Sequence, residues 1–439
     1  MRNKLILTAL ILVIPFLLTA CTLKDIPVVG KFFGGGGLSL GGPVTLNVWG
    51  LWENPEVMQQ IVAKYKETHP NVNINYDDRS VLGASQYKET LLGRIGQPEV
   101  ADIVLVHNSW VQDIKGSLAP APSKIMSEQQ YAEKYYPIAK DSAVFDGNVY
   151  AVPMYHDGIV LVYNKKHFEE EGQQSPPTSW EEFRRLAFNL TKRDEKGEII
   201  RAGAAMGTAN NIDFFSDILG TFFAQAKVNV PQDLDGKPAR DALAFYVLFS
   251  KSDKGWDNTF PEASAAFAQE RVSMIFIPSW NLLDILRERP NLQIGVAPVP
   301  QAKLDNPVSW ASFWMYAVPA VSPNKEAAWE FINYLAQEDT QRALFDAAAR
   351  QRVYGAPFSL VSLKDQVASG PYGNYLKPLL DSAAFAQSSR FAARAGNDLY
   401  VAALKEAVNS VLNSREDITV ASEAALKKAK ATIVSGGKQ

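Results

Sequence analysis

Cysteine is almost missing from this chain: Cys21 stands alone among 439 residues. One thiol cannot build an intramolecular disulfide framework, and thiolate-rich zinc or iron–sulfur sites are excluded with it. Histidine is nearly as scarce. His69, His107, His156 and His167 include no pair at the i, i+4 spacing that sets two metal-ligating imidazoles on one helix face. His156 and Asp157 are adjacent, so on a strand they point to opposite faces. Charge of one sign is lacking too. Lys+Arg number 44 and Asp+Glu 47, which leaves no electrostatic ground for a nucleic-acid ligand. Phosphate-cradling glycine loops of the P-loop or dinucleotide type are missing. Past the N-terminus, no stretch approaches 18 uninterrupted apolar residues, so no membrane-spanning helix is expected there.

What is present is ordinary globular composition, 47% hydrophobic and 21% charged, in a chain long enough for two or three domains. The N-terminus begins Met1-Arg2-Asn3-Lys4 and continues as an apolar run from Leu5 to Ala20, interrupted by Pro15. Sixteen helical residues reach only about 24 Å, short of a bilayer core of roughly 30 Å. A basic start, a short apolar stretch and small residues before a cut describe a secretory signal peptide over 1–20. Leu18-Thr19-Ala20-Cys21 resembles a bacterial lipobox, which makes Cys21 the lipidated mature N-terminus; the bland alternative is an incidental cysteine. Residues 21–43 then read as a glycine-rich tether. The match to G-x-S-x-G at Gly37–Gly41 falls inside it, without the strand and helix that motif needs, and is chance.

Val44–Trp49 has the composition of a strand, and Asn54-Pro55 reads as N-cap and first residue of a helix that His69-Pro70 stops. Val72–Tyr76 and Ala101–Val106 read as further strands. Strands alternating with helices argue for an α/β domain with a mainly parallel sheet. Asp146-Gly147 signals a tight turn, and Ser179 with Glu182 a capping box. A second α/β unit follows over about 159–305, with a helix near Asp241–Ser250 and a strand Val272–Ile277. Ser309–Val318 reads as one strand, followed by a helix from Asn324. One more amphipathic helix carries Leu404, Val408, Val411 and Leu412.

In order and spacing these pieces resemble the family 1 extracellular solute-binding proteins of ABC importers, the maltose-binding-protein-like group. The pieces are the opening strand and helix, Ala101–Trp110 leading to Leu118-Ala119-Pro120, Phe145–Pro153 running on to Val162–Lys165, and Pro177–Phe183. Ala266–Gln269 before Met274 and Ser322–Ala328 complete the set. The resemblance implies the two-lobed, type II periplasmic-binding-protein-like α/β fold, with a ligand cleft between lobes joined by a multi-crossing hinge. The first lobe would hold 44–151 and 309–350, the first hinge segment 152–158, and the second lobe 159–305 and 351–439.

Nine tryptophans are the main functional clue. Sugar rings present apolar C–H faces that suit aromatic platforms, while carboxylates and amides suit hydroxyl rims. Trp49 and Trp52 lie at or after the first strand's end, Trp280 follows the Val272–Ile277 strand, and Trp310 and Trp314 sit at the return crossing. Trp110 and Trp314 are weaker candidates. Core packing is the competing reading for each; Trp180, Trp256 and Trp329 are read as structural. Polar candidates are Glu53, Asn108 and Ser109 after strand ends, and Tyr155 and Asp157 in the hinge segment, where a mechanical role competes. Asn54, His156, Asn211, Asp213, Arg350 and Arg352 are secondary choices.

These residues lead to one expectation: the binding lipoprotein of an ABC importer, capturing extracellular mono- or oligosaccharide by cleft closure and handing it to a membrane permease. It is expected as a monomer, lipid-anchored outside the cell or in a periplasm, with no cofactor, metal or catalytic residue. The alternative is the same fold with a peptide, polyamine or other solute. A lipid-anchored glycoside hydrolase is a distant third reading: it would need two carboxylates about 5–10 Å apart across the bond, for which Glu53 and Asp157 are a candidate pair.

Overall fold

A computed structural model describes residues 42–437. The signal peptide, Cys21 and all but the last two tether residues lie outside them.

The first lobe is built on a six-stranded sheet. Val44–Gly50 pairs in parallel with Val72–Asp78, Leu46 opposite Ile74, and with Ile103–His107 on its other side. The Trp314–Pro319 strand then joins antiparallel, setting Trp314 opposite His107, and it is buried at every position. Ala151–Pro153 and Leu118–Ala119 complete the sheet on this same strand. The helix Pro55–Thr68 starts where expected. The Asn54 side chain accepts the N–H of Glu56 at 2.8 Å, Pro55 occupies the first turn, and Val57, Met58, Ile61 and Tyr65 form the buried stripe. Asp146-Gly147 turns the hairpin between Val144–Phe145 and Asn148–Val149, both residues at positive φ.

The second lobe has a three-stranded sheet with Ile159–Asn164 at its centre. Its neighbours, Met274–Pro278 and Ile294–Ala297, are both antiparallel to it. Here the parallel pattern of the first lobe does not carry over. After Asn164 the chain runs through a long excursion and re-enters the sheet at the end where it left, Met274 opposite Tyr163, a return that local periodicity does not encode. The capping box at Ser179 and Glu182 is present, and the helix behind it, Trp180–Leu190, buries Trp180, Phe183, Leu186 and Leu190. Of the C-terminal helices, Asp398–Asn413 was legible. Ile418–Gly436, which packs on it, buries mostly alanines (Ala421, Ala425 and Ala429 beside Leu426 and Ile433), too weak a stripe to stand out.

The stretch read as one strand, Ser309–Val318, is two. Ser309–Trp310 pairs in parallel with Ala386–Gln387, and Trp314–Pro319 belongs to the first sheet. Between them the chain passes from one lobe to the other. There Ser312 N–H donates to the Asp157 carbonyl at 2.9 Å, tying this crossing to the one at 153–159. A third stretch runs beside the first: His156 N–H donates to the Pro357 carbonyl at 3.0 Å, and the Ser359 hydroxyl to that of Pro153 at 2.9 Å. The crossings touch so closely that a Cβ on Gly158 would lie 1.9 Å from the Trp310 carbonyl oxygen.

Candidate functional site

Burial separates the tryptophans sharply. Trp52 is 47% exposed and Trp280 40%, while the other seven are at most 8% exposed. Trp52 stands in the loop that leaves the first strand of the first lobe. Its φ is +60°, a left-handed backbone uncommon for a bulky residue, and its ring meets Trp314 edge-on at 5.1 Å. Trp280 belongs to the other lobe, in the first turn of the helix Ser279–Glu288, with Phe214 against it at 5.6 Å. Arg394, paired with Asp213, lies 5.8 Å from the Phe214 ring.

Polar groups of the first lobe, the hinge segment and the third stretch lie within electrostatic reach of one another. Burial pushes the Glu53 carboxyl up, while nearby Arg352 and the N–H of Asn54 pull it down and Asp78 adds to the rise. Burial also drives the Tyr155 phenol far up, with Asp157 and Glu53 adding to it and Arg352 opposing. Tyr354, on the third stretch, donates to the Ser279 carbonyl at 2.6 Å, one residue before Trp280. The Arg352 Nε is buried, and among the described residues it has no hydrogen-bond partner. A half-buried guanidinium with donors to spare stands near a partly buried carboxyl. Such groups suit a ligand rich in hydroxyls.

Other expected residues are committed within the protein. Asp157 is buried, and its carboxylate accepts from Gly158 N–H at 2.7 Å, Ser279 N–H at 3.0 Å and the Ser279 hydroxyl at 2.7 Å. Burial pushes it up to about 6 in spite of these donors. It ties the hinge to the second lobe, and with its oxygens so occupied it forms no open carboxylate pair with Glu53. Trp49 is buried beneath Arg79, whose guanidinium lies 3.8 Å from its ring. Trp314 packs between Trp52 and Trp110, and Trp110 donates to the Ala395 carbonyl at 2.8 Å. Trp310 donates to Asp217 at 2.7 Å, and its ring fills the space where a Cβ on Gly220 would fall. Asn108 accepts from Phe313 N–H at 3.2 Å and donates to the Ser388 hydroxyl at 2.9 Å. The Ser109 hydroxyl sits between His107 at 2.8 Å and Asn397 at 3.0 Å. His107 and His156 are pushed down to about 3 by burial and are neutral at pH 7.

Asn108, Ser109 and Trp310 also line a separate pocket of about 960 Å³ between the lobes, whose walls include none of Trp52, Glu53, Tyr155, Arg352 or Trp280. Among the secondary choices, Asn211 is buried and donates to the carbonyls of Asp257 at 2.9 Å and Phe260 at 3.0 Å, anchoring its own loop. Arg350 donates to Gln60 at 3.2 Å on the surface of the first lobe.

The sequence profile of the bacterial extracellular solute-binding proteins matches residues 50–342, well over half of the chain. The chain belongs to that family. Among its relatives, the mannitol-binding protein of Pseudomonas aeruginosa is 23% identical over 350 residues, covering 73% of this chain and 78% of that one. The maltotriose-binding protein of Pyrococcus abyssi is 21% identical over 301 residues, covering 65% of this chain and 61% of its own. Among solved structures, the sugar-binding protein MalE from Xanthomonas citri superposes with a TM-score of 0.71 at 18% identity, covering 90% of this chain and 98% of that one. An ABC transporter solute-binding protein from Thermotoga lettingae, bound with α-D-tagatose, gives 0.66 at 21% identity over 89% of this chain and all of that one. The two-lobed type II fold is therefore that of this solute-binding protein.

In this solute-binding protein, Arg352, Tyr354 and Phe214 were not given their weight by sequence reasoning. Arg352 lay among the secondary choices, and nothing local distinguishes it from Arg350, two residues away and on the outer surface. Phe214 had one available signal: it follows Asp213, already a secondary choice, at the start of a helix buried on nearly every side.

Proposed function

We propose that this solute-binding protein captures a carbohydrate outside the cell membrane and delivers it to the permease of an ABC importer. The observation that carries the reading is the pair of exposed tryptophans, Trp52 on one lobe and Trp280 on the other, with Glu53, Tyr155 and an Arg352 Nε that has no partner among the described residues. Aromatic faces suit sugar C–H surfaces, and the charged groups suit hydroxyl rims. The Arg352 guanidinium near Glu53 also disfavours a polyamine, because it would repel a second cation. The tagatose-bound structure and the maltotriose-binding relative support the same class. Ligand contacts to both lobes, available together only when the lobes approach, would drive closure.

Cys21 is proposed as the lipid anchor that keeps the receptor beside its transporter, supported by Leu18-Thr19-Ala20-Cys21. Cys21→Ser should release the protein from membranes, and persistent anchorage would count against it. The ligand class is tested by thermal shift of residues 44–439 against mono- and oligosaccharides, with peptides, polyamines and metal ions as controls. A ligand that binds the folded state raises the melting temperature by mass action. Stabilisation by a peptide or cation alone would overturn the carbohydrate reading and leave the fold untouched.

A further inference from the structure

The pocket of about 960 Å³ is far larger than a packing defect and has the size of a small-molecule site. One wall belongs to the first lobe, with Gln112, Ser142 and Phe145. The opposite wall belongs to the second, with Phe223, Ala224 and Asn229, and Gln387 lies on the strand that pairs beside Trp310. Its chemistry is mostly uncharged. Amides and hydroxyls stand beside three phenyl groups, those of Phe145, Phe223 and Phe385, Asp141 and Lys227 offset each other in charge, and Arg390 is already paired with Asp113. Donors and acceptors set around aromatic faces match a neutral, polyhydroxylated molecule better than an ion or a purely apolar one.

We propose that this pocket is a second ligand site, distinct from the Trp52–Trp280 cleft, for a neutral polyhydroxylated molecule of sugar size. Because its walls come from both lobes, an occupant fixes their relative orientation. Occupancy is therefore thermodynamically coupled to the cleft, and by linkage the coupling is reciprocal.

The test titrates mannitol, maltotriose and mannotriose calorimetrically into the full mature chain and three variants. Trp52→Ala/Trp280→Ala disables the cleft, Ala224→Trp fills the pocket, and a third variant combines them. The proposal expects at least one probe to bind the cleft-disabled protein once per chain and the combined variant not at all. It also expects Ala224→Trp alone to shift cleft affinity at least about fivefold. If the cleft-disabled protein binds none of the three probes, or if Ala224→Trp changes neither the residual binding nor the cleft affinity, the second site is overturned. Unchanged binding in Trp52→Ala/Trp280→Ala, with loss in Ala224→Trp, would instead overturn the cleft reading and leave the pocket standing. Circular dichroism checks folding, and if Ala224→Trp fails it, Gln112→Trp on the exposed opposite wall makes the same test.

Discussion

Asp217 holds Trp310 in place from inside the second lobe: one carboxylate oxygen accepts the indole N–H at 2.7 Å, and the other accepts the N–H of Ala393 at 2.9 Å. No cation pairs with it among the described residues, and burial pushes its carboxyl up to about 7 in spite of the two donors. In the unfolded chain the same group titrates near its ordinary value of 3.8. The raised folded value means that the protonated group favours folding. That stability is fully present below the unfolded value and is lost as pH rises toward 7. The difference in denaturant midpoint between wild type and Asp217→Asn should therefore change from pH 4 to 8 in the direction of a loss for the wild type. Asp157, pushed up to about 6 by burial, adds a smaller slope of the same sign to both proteins, and the buried His107 and His156, pushed down to about 3, add one of the opposite sign to both. An unchanged slope in Asp217→Asn would show that Asp217 ionises at its ordinary value.

The hinge makes a sharper demand at Gly158. A methyl group there would sit 1.9 Å from the Trp310 carbonyl oxygen, a backbone atom that cannot swing aside as a side chain could. Gly158→Ala should therefore destabilise by about 3 kcal/mol or more, or force the two crossings apart. Urea denaturation checks the first outcome, and small-angle scattering the second. A variant with native stability and native dimensions would mean that the crossings are not in contact in solution.

Local structure was largely legible because it rests on local chemistry. Asn54-Pro55 starts its helix, Ser179 and Glu182 cap theirs, and Asp146-Gly147 turns its hairpin, each through groups within a few residues of one another. The antiparallel second sheet and the break at Ala311–Phe313 were not legible, since both follow from where distant segments meet. Tryptophans show the same limit. Trp49 and Trp52 are three residues apart at the end of one strand, yet one lies under Arg79 and the other faces solvent. Arg352 joins Glu53 only because the third stretch folds back beside the hinge, which no spacing in the sequence records.

Exposure turns the tryptophan pair into a clean test of the cleft. Trp52→Ala and Trp280→Ala each remove a ring that is 47% or 40% exposed, so each should cost little stability. Each should weaken carbohydrate binding roughly tenfold or more, about 1.4 kcal/mol. Trp49→Ala should do the reverse, destabilising by about 3–5 kcal/mol as a buried aromatic truncation. Calorimetric titration beside thermal denaturation separates the two patterns. Equal binding in wild type and both exposed-tryptophan variants would remove the cleft from the argument.

Arg352 and Glu53 can be tested together through pH. The guanidinium is the leading influence holding the Glu53 carboxyl down against burial, and its Nε has no hydrogen-bond partner among the described residues. Arg352→Met keeps much of the side chain's bulk and removes both the charge and the donors. Ligand affinity at pH 7 should fall about tenfold or more, the scale of one charged hydrogen bond. The pH at which Glu53 protonates should also rise, so that binding which needs the Glu53 carboxylate weakens at a higher pH than in the wild type. Affinity measured from pH 4 to 8 distinguishes this from a purely structural role, which would lower affinity at every pH without moving the midpoint. Glu53→Gln should abolish that pH dependence in either background, because the titrating group is gone.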